Sequence, residues 1–168
     1  MALLNRDGSI FAGERGDTPG AWQMPQGGID TGELPEAAAL RELEEETSVP
    51  PGAVTILSES EGWHRYDLPE DVARRLWRGR YRGQEQKWFL MRLETGDDVI
   101  NLDVQHPEFT RWAWMSAEDL LTSIVPFKRD LYEVVLTPKA SLCLLEFRMV
   151  PSQAGPSAGC YTWQTPQL

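Results

Sequence analysis

Apolar and polar positions alternate in short runs at the start of the chain, which is the pattern of β-strands. The apolar runs at residues 2–4 and 10–14 flank the segment Asn5-Arg6-Asp7-Gly8, which has the residues of a tight turn. The segment Trp22-Gln23-Met24 follows, in which a polar residue stands between two apolar ones. The pattern predicts a hairpin over residues 2–14 and then a short strand.

A longer segment with helical periodicity follows and predicts a helix over residues 35–47. Pro35 suits the first helical position, because the N–H that proline lacks would have no partner there. The positions after it are rich in good helix formers. One face is expected to pack on a core and consists of Leu40, Leu43 and Thr47. A second face carries Glu42, Glu45 and Glu46.

The rest of the pattern predicts a mixed sheet covered by helices. Strands are expected at residues 54–60, 62–66, 86–93 and 109–115. Helices are expected as one or two exposed turns within residues 68–78, as a short helix at 117–121 capped by Ser116, and at 127–136. Residues 140–150 fit a strand or a short helix, and residues 151–168 have the composition of a flexible tail.

Composition narrows the function classes. The chain has 168 residues, 41% of them hydrophobic, and a net charge of −10, which excludes wholesale disorder and an extensive basic surface for nucleic acid. Two cysteines are too few for a disulfide scaffold or a zinc cluster. No apolar run is long enough to span a membrane, and the apolar part of residues 1–7 is too short for a signal peptide to be expected there. The expected compartment is therefore the cytoplasm.

The acidic residues are concentrated in one window. Residues 30–46 hold seven acids and one base, Arg41. The usual interpretation of such a charge run is a solvated helix face. Three carboxylates on one face repel each other, and a hard divalent cation with oxygen ligands would convert that repulsion into a binding site. The loop before the helix contains Gly27 and Gly28, and a glycine-rich loop at a helix N-terminus suits phosphate.

The spacing of these residues resembles the Nudix box, G-x5-E-x7-R-E-U-x-E-E-x-G-U, in which U is a bulky aliphatic residue. The matching positions are Gly27, Glu33, Arg41-Glu42-Leu43, Glu45-Glu46 and Val49. One position departs: Ser48 stands where the box has glycine, and it strains the turn if that position needs a positive φ.

The resemblance extends over residues 2 to about 136, to the branch of RNA pyrophosphohydrolases and dinucleoside polyphosphate hydrolases. It is carried by the segments Ala21–Asp30, Tyr66–Pro69, Gly83–Leu90, His106–Phe109 and Val125–Arg129. It implies an α/β fold, the Nudix α/β/α sandwich with a mixed sheet flanked by helices. We expect a domain at residues 1–136, with a truncated N-terminal strand, since members of this branch carry a further segment with a phosphate-binding arginine. Residues 137–168 are expected to be a largely flexible extension.

The same resemblance implies roles for individual residues. Metal ligands would be Glu42, Glu45, Glu46 and Glu108, holding Mg²⁺, with Mn²⁺ as a substitute and more than one ion. The catalytic base would be one of Glu45, Glu46 and Glu108. Phosphate contacts would come from Arg15, Gly27, Gly28, Lys87 and Lys128. Stacking on the base is expected of Tyr66 and Phe127, and support of the box of Glu33 and Arg41. The alternatives are a solvated loop for Glu108, a surface position for Arg15 and core packing for Phe127.

These roles imply a Mg²⁺-dependent hydrolase of nucleoside 5′-polyphosphate ends, with triphosphorylated RNA or diadenosine tetra- or pentaphosphate as substrate. Guanosine tetraphosphate is an alternative substrate, and a catalytically weak Nudix-fold binding module is an alternative function. The expected partner is a nucleotide or an RNA 5′ end, with no extensive nucleic-acid surface and no membrane. A plastid is an alternative compartment, if the source is a photosynthetic eukaryote. The sequence does not indicate the oligomeric state.

Overall fold

A computed structural model of the chain describes residues 1–77 and 83–136. The predicted C-terminal extension at residues 137–168 lies outside the described residues, and so does the strand or short helix predicted at residues 140–150.

Strands and helices alternate along the described residues. The strands are β1 (Ala2–Leu4), β2 (Ile10–Arg15), β3 (Trp22–Gln23), β4 (Val54–Glu59), β5 (His64–Asp67), β6 (Gly83–Gln86), β7 (Phe89–Leu93) and β8 (Phe109–Met115). The α-helices are α1 (Pro35–Thr47), α2 (Glu70–Trp77), α3 (Ala117–Ser123) and α4 (Arg129–Leu136). Single 3₁₀ turns lie at Pro51–Ala53, Asp97–Val99 and Pro126–Lys128.

The main sheet is mixed, as predicted. Its strands run in the order β4-β7-β1-β2-β8, and β3 pairs with the end of β2 that β1 leaves free. The pair β1–β7 is parallel and the other pairs are antiparallel. Strands β5 and β6 form a separate two-stranded sheet.

The two faces of the main sheet bury different helices. Leu3 and Phe11 pack in one cluster with Leu43 of α1. The neighbouring strand positions Ala2, Ile10 and Ala12 pack in a second cluster with residues of α3 and α4. Because successive strand residues point to opposite faces, helices cover both faces of the sheet. This is the predicted α/β/α sandwich.

One predicted strand is wrong. Residues 86–93 form not one strand but the end of β6 and the whole of β7, in different sheets, with Lys87 and Trp88 between them. At the break, Ser60 exchanges hydrogen bonds with Trp88: its N–H donates to the Trp88 carbonyl at 2.8 Å, and its hydroxyl accepts from the Trp88 N–H at 3.1 Å. Strand β6 instead pairs with β5, and Gly83 lies so close to the Tyr66 carbonyl that a Cβ there would be 2.1 Å away.

The residue that ends α1 has the positive φ that we expected to strain any residue other than glycine at this position. Ser48 is left-handed, with φ +61°, in the position where the motif has glycine. Its N–H donates to the Glu44 carbonyl at 2.8 Å, and its hydroxyl donates to the Asn101 carbonyl at 3.0 Å. The second contact ties the helix end to the loop before β8.

Candidate active site

The glycine loop before α1 is fastened to that helix. A Cβ on Gly27 would lie 1.8 Å from the carboxyl carbon of Glu42, so a larger residue there would require the Glu42 side chain to move. The N–H of Gly28 donates to Glu42, and its carbonyl accepts from Arg41 at 2.9 Å. The structure therefore places the two predicted phosphate contacts against a carboxylate and a guanidinium of the helix.

Arg41 is the centre of a network of ion pairs at the start of the acidic face. Its Nε and Nη2 atoms each donate to one Glu33 oxygen at 2.9 Å, and its Nη1 donates to Glu42 at 2.9 Å and to Glu45 at 3.2 Å. The N–H of Asp30 also donates to Glu33, at 2.9 Å. These donors, Arg41 first, lower the pKa of Glu33 to about 2. The contact that the predicted support role requires is present.

Glu46 has different surroundings, deep in the structure. The residue is only 5% exposed, one oxygen accepts from the Gln26 N–H at 3.1 Å, and the other oxygen is buried without a partner. Glu108, from the loop before β8, lies close enough to act on it. Burial, and then the charge of Glu108, raise the pKa of Glu46 well above its usual value. The pKa of Glu42 is also raised by burial, against the effect of Arg41.

Carboxylate oxygens are suitable ligands for a divalent cation, but the carboxylates of this site do not point toward one common position. Within residues 1–77 and 83–136, no three acidic, histidine or cysteine side chains already form a metal cluster. Arg41 explains this, because it draws Glu42 and Glu45 toward itself. The unpaired oxygen of Glu46 beside Glu108 is where a hard cation would remove a repulsion, since carboxylate oxygens are its preferred ligands.

Two cations lie beside these carboxylates. Lys128 is 4% exposed and donates to the side-chain oxygens of Gln23 at 3.1 Å and Gln26 at 2.8 Å. Arg15 donates to the same Gln23 oxygen at 3.0 Å and forms a two-bond ion pair with Asp17. Burial, and then the charge of Arg15, lower the pKa of Lys128 to about 8, while Glu108 and Glu46 oppose that shift.

The third predicted cation is engaged elsewhere. The Lys87 ammonium donates to the carbonyl of Ser60 and lies 3.6 Å from the Glu59 carboxylate. Among the described residues, the structure joins Arg15 and Lys128, but not Lys87, to the network around Glu46.

The two predicted stacking residues stack on each other, and both line one cavity. The rings of Tyr66 and Phe127 lie 6.3 Å apart, centroid to centroid, at an interplanar angle of 23°. Both line an open cavity of about 660 Å³, together with His64, Arg65, Asp67, Asp130, Leu131 and Val134. The Tyr66 hydroxyl donates to Gln84, and the charge of Arg15 acts on Tyr66. Tyr66 therefore lies both at the cavity and within electrostatic reach of Arg15.

Sequence reasoning missed Gln23 and Gln26, which connect these groups. Their partner Lys128 lies more than a hundred residues further along the chain, so no local spacing could reveal the contact. One signal was available: Gln23 is polar between two apolar residues of a predicted short strand, and it is fully buried in the structure.

Comparison with known proteins places this geometry in a family. A family model for the NUDIX domain matches residues 1–135. The RNA pyrophosphohydrolase of Roseobacter denitrificans is 56% identical over 137 residues, which cover 81% of this chain and 86% of that protein. The RNA pyrophosphohydrolase of Rhodospirillum rubrum is 49% identical over 144 residues, which cover 86% of both.

Solved structures show the same fold at lower identity. The E. coli dihydroneopterin triphosphate pyrophosphohydrolase is 19% identical, with a TM-score of 0.62, over 80% of this chain and 90% of that one. A C. elegans Ap4A hydrolase binary complex is 22% identical, with a TM-score of 0.60, over 87% of this chain and 96% of that one. No helix in the described residues is long and apolar enough to cross a membrane. With the matched domain, the relatives and the fold in agreement, the chain belongs to the Nudix family.

Proposed function

We propose that the chain is a divalent-cation-dependent pyrophosphohydrolase of nucleoside 5′-polyphosphate ends, and that triphosphorylated RNA 5′ ends are its substrate. The observation that carries this proposal is the buried Glu46 carboxylate, which has an unpaired oxygen and has Glu108, Lys128 and Arg15 as charged neighbours. Relatives at 49–56% identity that are named RNA pyrophosphohydrolase support the RNA end over a dinucleoside polyphosphate or guanosine tetraphosphate.

The divalent cation, Mg²⁺ or Mn²⁺, would be held by Glu42, Glu45, Glu46 and Glu108, and four carboxylates leave room for more than one ion. When bound, it supplies charge neutralisation and a water of lowered pKa. Arg41 has to release Glu42 and Glu45 for this, whereas its two bonds to Glu33 can remain.

The remaining residues divide the other tasks. Arg15 and Lys128 would bind the phosphate chain, because they are the cations joined to the carboxylate network. Glu46 or Glu108 would accept the proton of the attacking water, because these two carboxyl groups lie close enough to act on each other at the site. The water oxygen would bond to phosphorus as the anhydride P–O bond breaks, leaving a 5′-monophosphate end and pyrophosphate. The base would stack in the cavity at Tyr66 and Phe127.

A parallel assay tests the proposal. The full chain with Mg²⁺ is incubated with 5′-triphosphate RNA, diadenosine tetraphosphate and guanosine tetraphosphate, and the products are resolved. We expect monophosphorylated RNA and pyrophosphate, with the highest kcat/KM on RNA. Glu45→Gln should lose most of the turnover, whereas Glu44→Gln removes the same charge from an exposed position of the same helix and should not. Absence of turnover on all three substrates contradicts an enzyme and favours a Nudix-fold binding module.

We further propose that residues 1–136 form one domain, to which residues 137–168 are an extension, and that the protein is cytoplasmic. The domain limit is supported by the family match to residues 1–135. The two relatives named above come from bacteria, so they give no support to a plastid location.

A further inference from the structure

Gln23 is a fully buried polar side chain on the short strand β3, and one of its atoms accepts hydrogen bonds from two cations. Its side-chain oxygen accepts a hydrogen bond from Arg15 at 3.0 Å and another from Lys128 at 3.1 Å. The distance between the Arg15 Nη1 and Lys128 Nζ atoms is therefore no larger than the sum of these two hydrogen-bond lengths. Without an acceptor between them, like charges at this separation in a buried place would repel each other.

The amide orientation of Gln23 follows from the same contacts. Turning the amide over would point its NH₂ group, which only donates, at two positively charged donors. In the orientation found, the NH₂ nitrogen is buried without a partner. A buried unpaired donor costs free energy, so stability alone does not account for this residue.

Each cation is also held from its other side. Asp17 binds the guanidinium of Arg15 through two bonds, and the Gln26 oxygen accepts from Lys128 at 2.8 Å. The N–H of Gln26 in turn donates to Glu46 at 3.1 Å. The two cations are thus fixed next to the carboxylates, with their separation set by Gln23.

We propose, on the basis of the function proposed above, that Gln23 is a positioning residue that holds Arg15 and Lys128 as a cation pair for two neighbouring phosphates of the substrate. One phosphate can contact both cations at this separation, but a chain of linked phosphates carries more negative charge and can also place a different phosphate on each cation, so the chain should bind the pair more tightly. The ligand class is therefore a polyphosphate, free or attached to a nucleoside.

The test uses binding without a divalent cation, so that it does not depend on turnover. Inorganic tripolyphosphate and orthophosphate are titrated by calorimetry into the full chain, freed of divalent ions, as wild type and as Gln23→Met, which keeps the side-chain length and removes the acceptor. We expect wild type to prefer tripolyphosphate and Gln23→Met to bind it about tenfold more weakly, the loss of one well-placed charged contact.

Two controls separate positioning from structure. Met24→Leu alters the adjacent, fully buried position and should bind tripolyphosphate as wild type does. In a Lys128→Met background, Gln23→Met should have less than about a threefold further effect, because two residues that act on one contact are not additive. If Gln23→Met does not fold, as judged by near-UV circular dichroism, Gln23→Leu is used in its place.

The steady-state counterpart is a rise in KM for 5′-triphosphate RNA of about tenfold with kcat changed less than about threefold, since the pair acts on the bound phosphates. Equal tripolyphosphate affinity in wild type and folded Gln23→Met overturns the proposal, and so does full additivity with Lys128→Met. Gln23-dependent tripolyphosphate binding without RNA turnover supports the cation pair and contradicts the proposed function alone.

Discussion

Glu33 and Glu46 belong to one motif, thirteen residues apart, and the structure gives their carboxylates opposite surroundings. Both oxygens of Glu33 are bonded by Arg41, and the pKa of Glu33 falls to about 2. Glu46 is buried with one oxygen unpaired beside Glu108, and its pKa is raised well above the usual value.

The difference separates two uses of the same side chain. A carboxylate whose charge is fully bonded stabilises the fold in its charged form. A carboxylate that is buried with an unpaired oxygen lowers the stability of the fold whenever it is charged. Binding a cation or a proton would remove that penalty. Changes at the paired end should therefore alter stability, and changes at the unpaired end should alter activity.

The largest effect is expected from Glu46→Gln. This change should lower kcat/KM on 5′-triphosphate RNA by about 10²–10⁴-fold, because the neutral amide can neither take the proton nor bind a cation strongly. In the absence of divalent ions it should also raise the free energy of unfolding, by about 1 kcal/mol, because a buried charge is removed. The exposed Glu44→Gln should change neither quantity.

The pH dependence of that stability gain has a definite sign. Since folding raises the pKa of Glu46, the native state binds more protons than the unfolded state above the unfolded pKa of 4.5. The stability contributed by protonated Glu46 is complete below that pH and is lost as pH rises through the folded pKa. The advantage of Glu46→Gln over wild type, measured by metal-free denaturant unfolding, should grow as pH rises from 4.5. An advantage that shrinks over this range would contradict the assignment.

At the paired end, Arg41→Lys should mainly change stability. Lysine cannot replace the two parallel bonds to Glu33, so the free energy of unfolding should fall by about 1–3 kcal/mol. Arg92→Lys is the matched control, since Arg92 forms an exposed ion pair with Glu94, and it should change stability by less than about 0.5 kcal/mol. Urea unfolding of both variants makes the comparison. Equal losses would show that the bonds around Arg41 have no special weight.

The smallest effect is expected where α1 ends. Ser48→Gly relieves the left-handed strain and loses the hydroxyl bond to Asn101, whereas Ser48→Ala loses that bond and keeps the strain. The alanine variant should therefore be less stable than the glycine variant by about 1 kcal/mol, with unchanged turnover in both. Thermal unfolding measures the difference, and an alanine variant as stable as the glycine variant would argue against strain at this position.

Local features of the chain were predictable. The hairpin, the limits of α1 and the left-handed position at Ser48 follow from turn residues, Pro35 and the motif spacing, all of which act within a few residues. The separation of β6 from β7 was not predictable, because the two halves pair with different and distant strands, β6 with β5 and β7 with β1 and β4. An apolar run alone does not say which partner each half will pair with.

The site divides in the same way. The carboxylates of α1 share a face because of helical spacing, which the sequence displays. Three other contacts form only when the chain folds. They are those of Glu108 with Glu46, of Lys87 with Glu59 and of Lys128 with Gln23. Burial and the pairing of carboxylate oxygens are properties of the folded state, so the sequence cannot distinguish Glu33 from Glu46 as the structure does.

The contact between Gln23 and Lys128 spans 105 residues and has a consequence for synthesis of the chain. A ribosome that adds about 5–20 residues per second makes Lys128 about 5–20 s after Gln23. Once the acidic helix α1 has been made, the nascent chain holds it without one of its two neighbouring cations for the rest of that interval. The growing chain therefore gains Lys128, the second of these two cations, only just before α4 (Arg129–Leu136) is made.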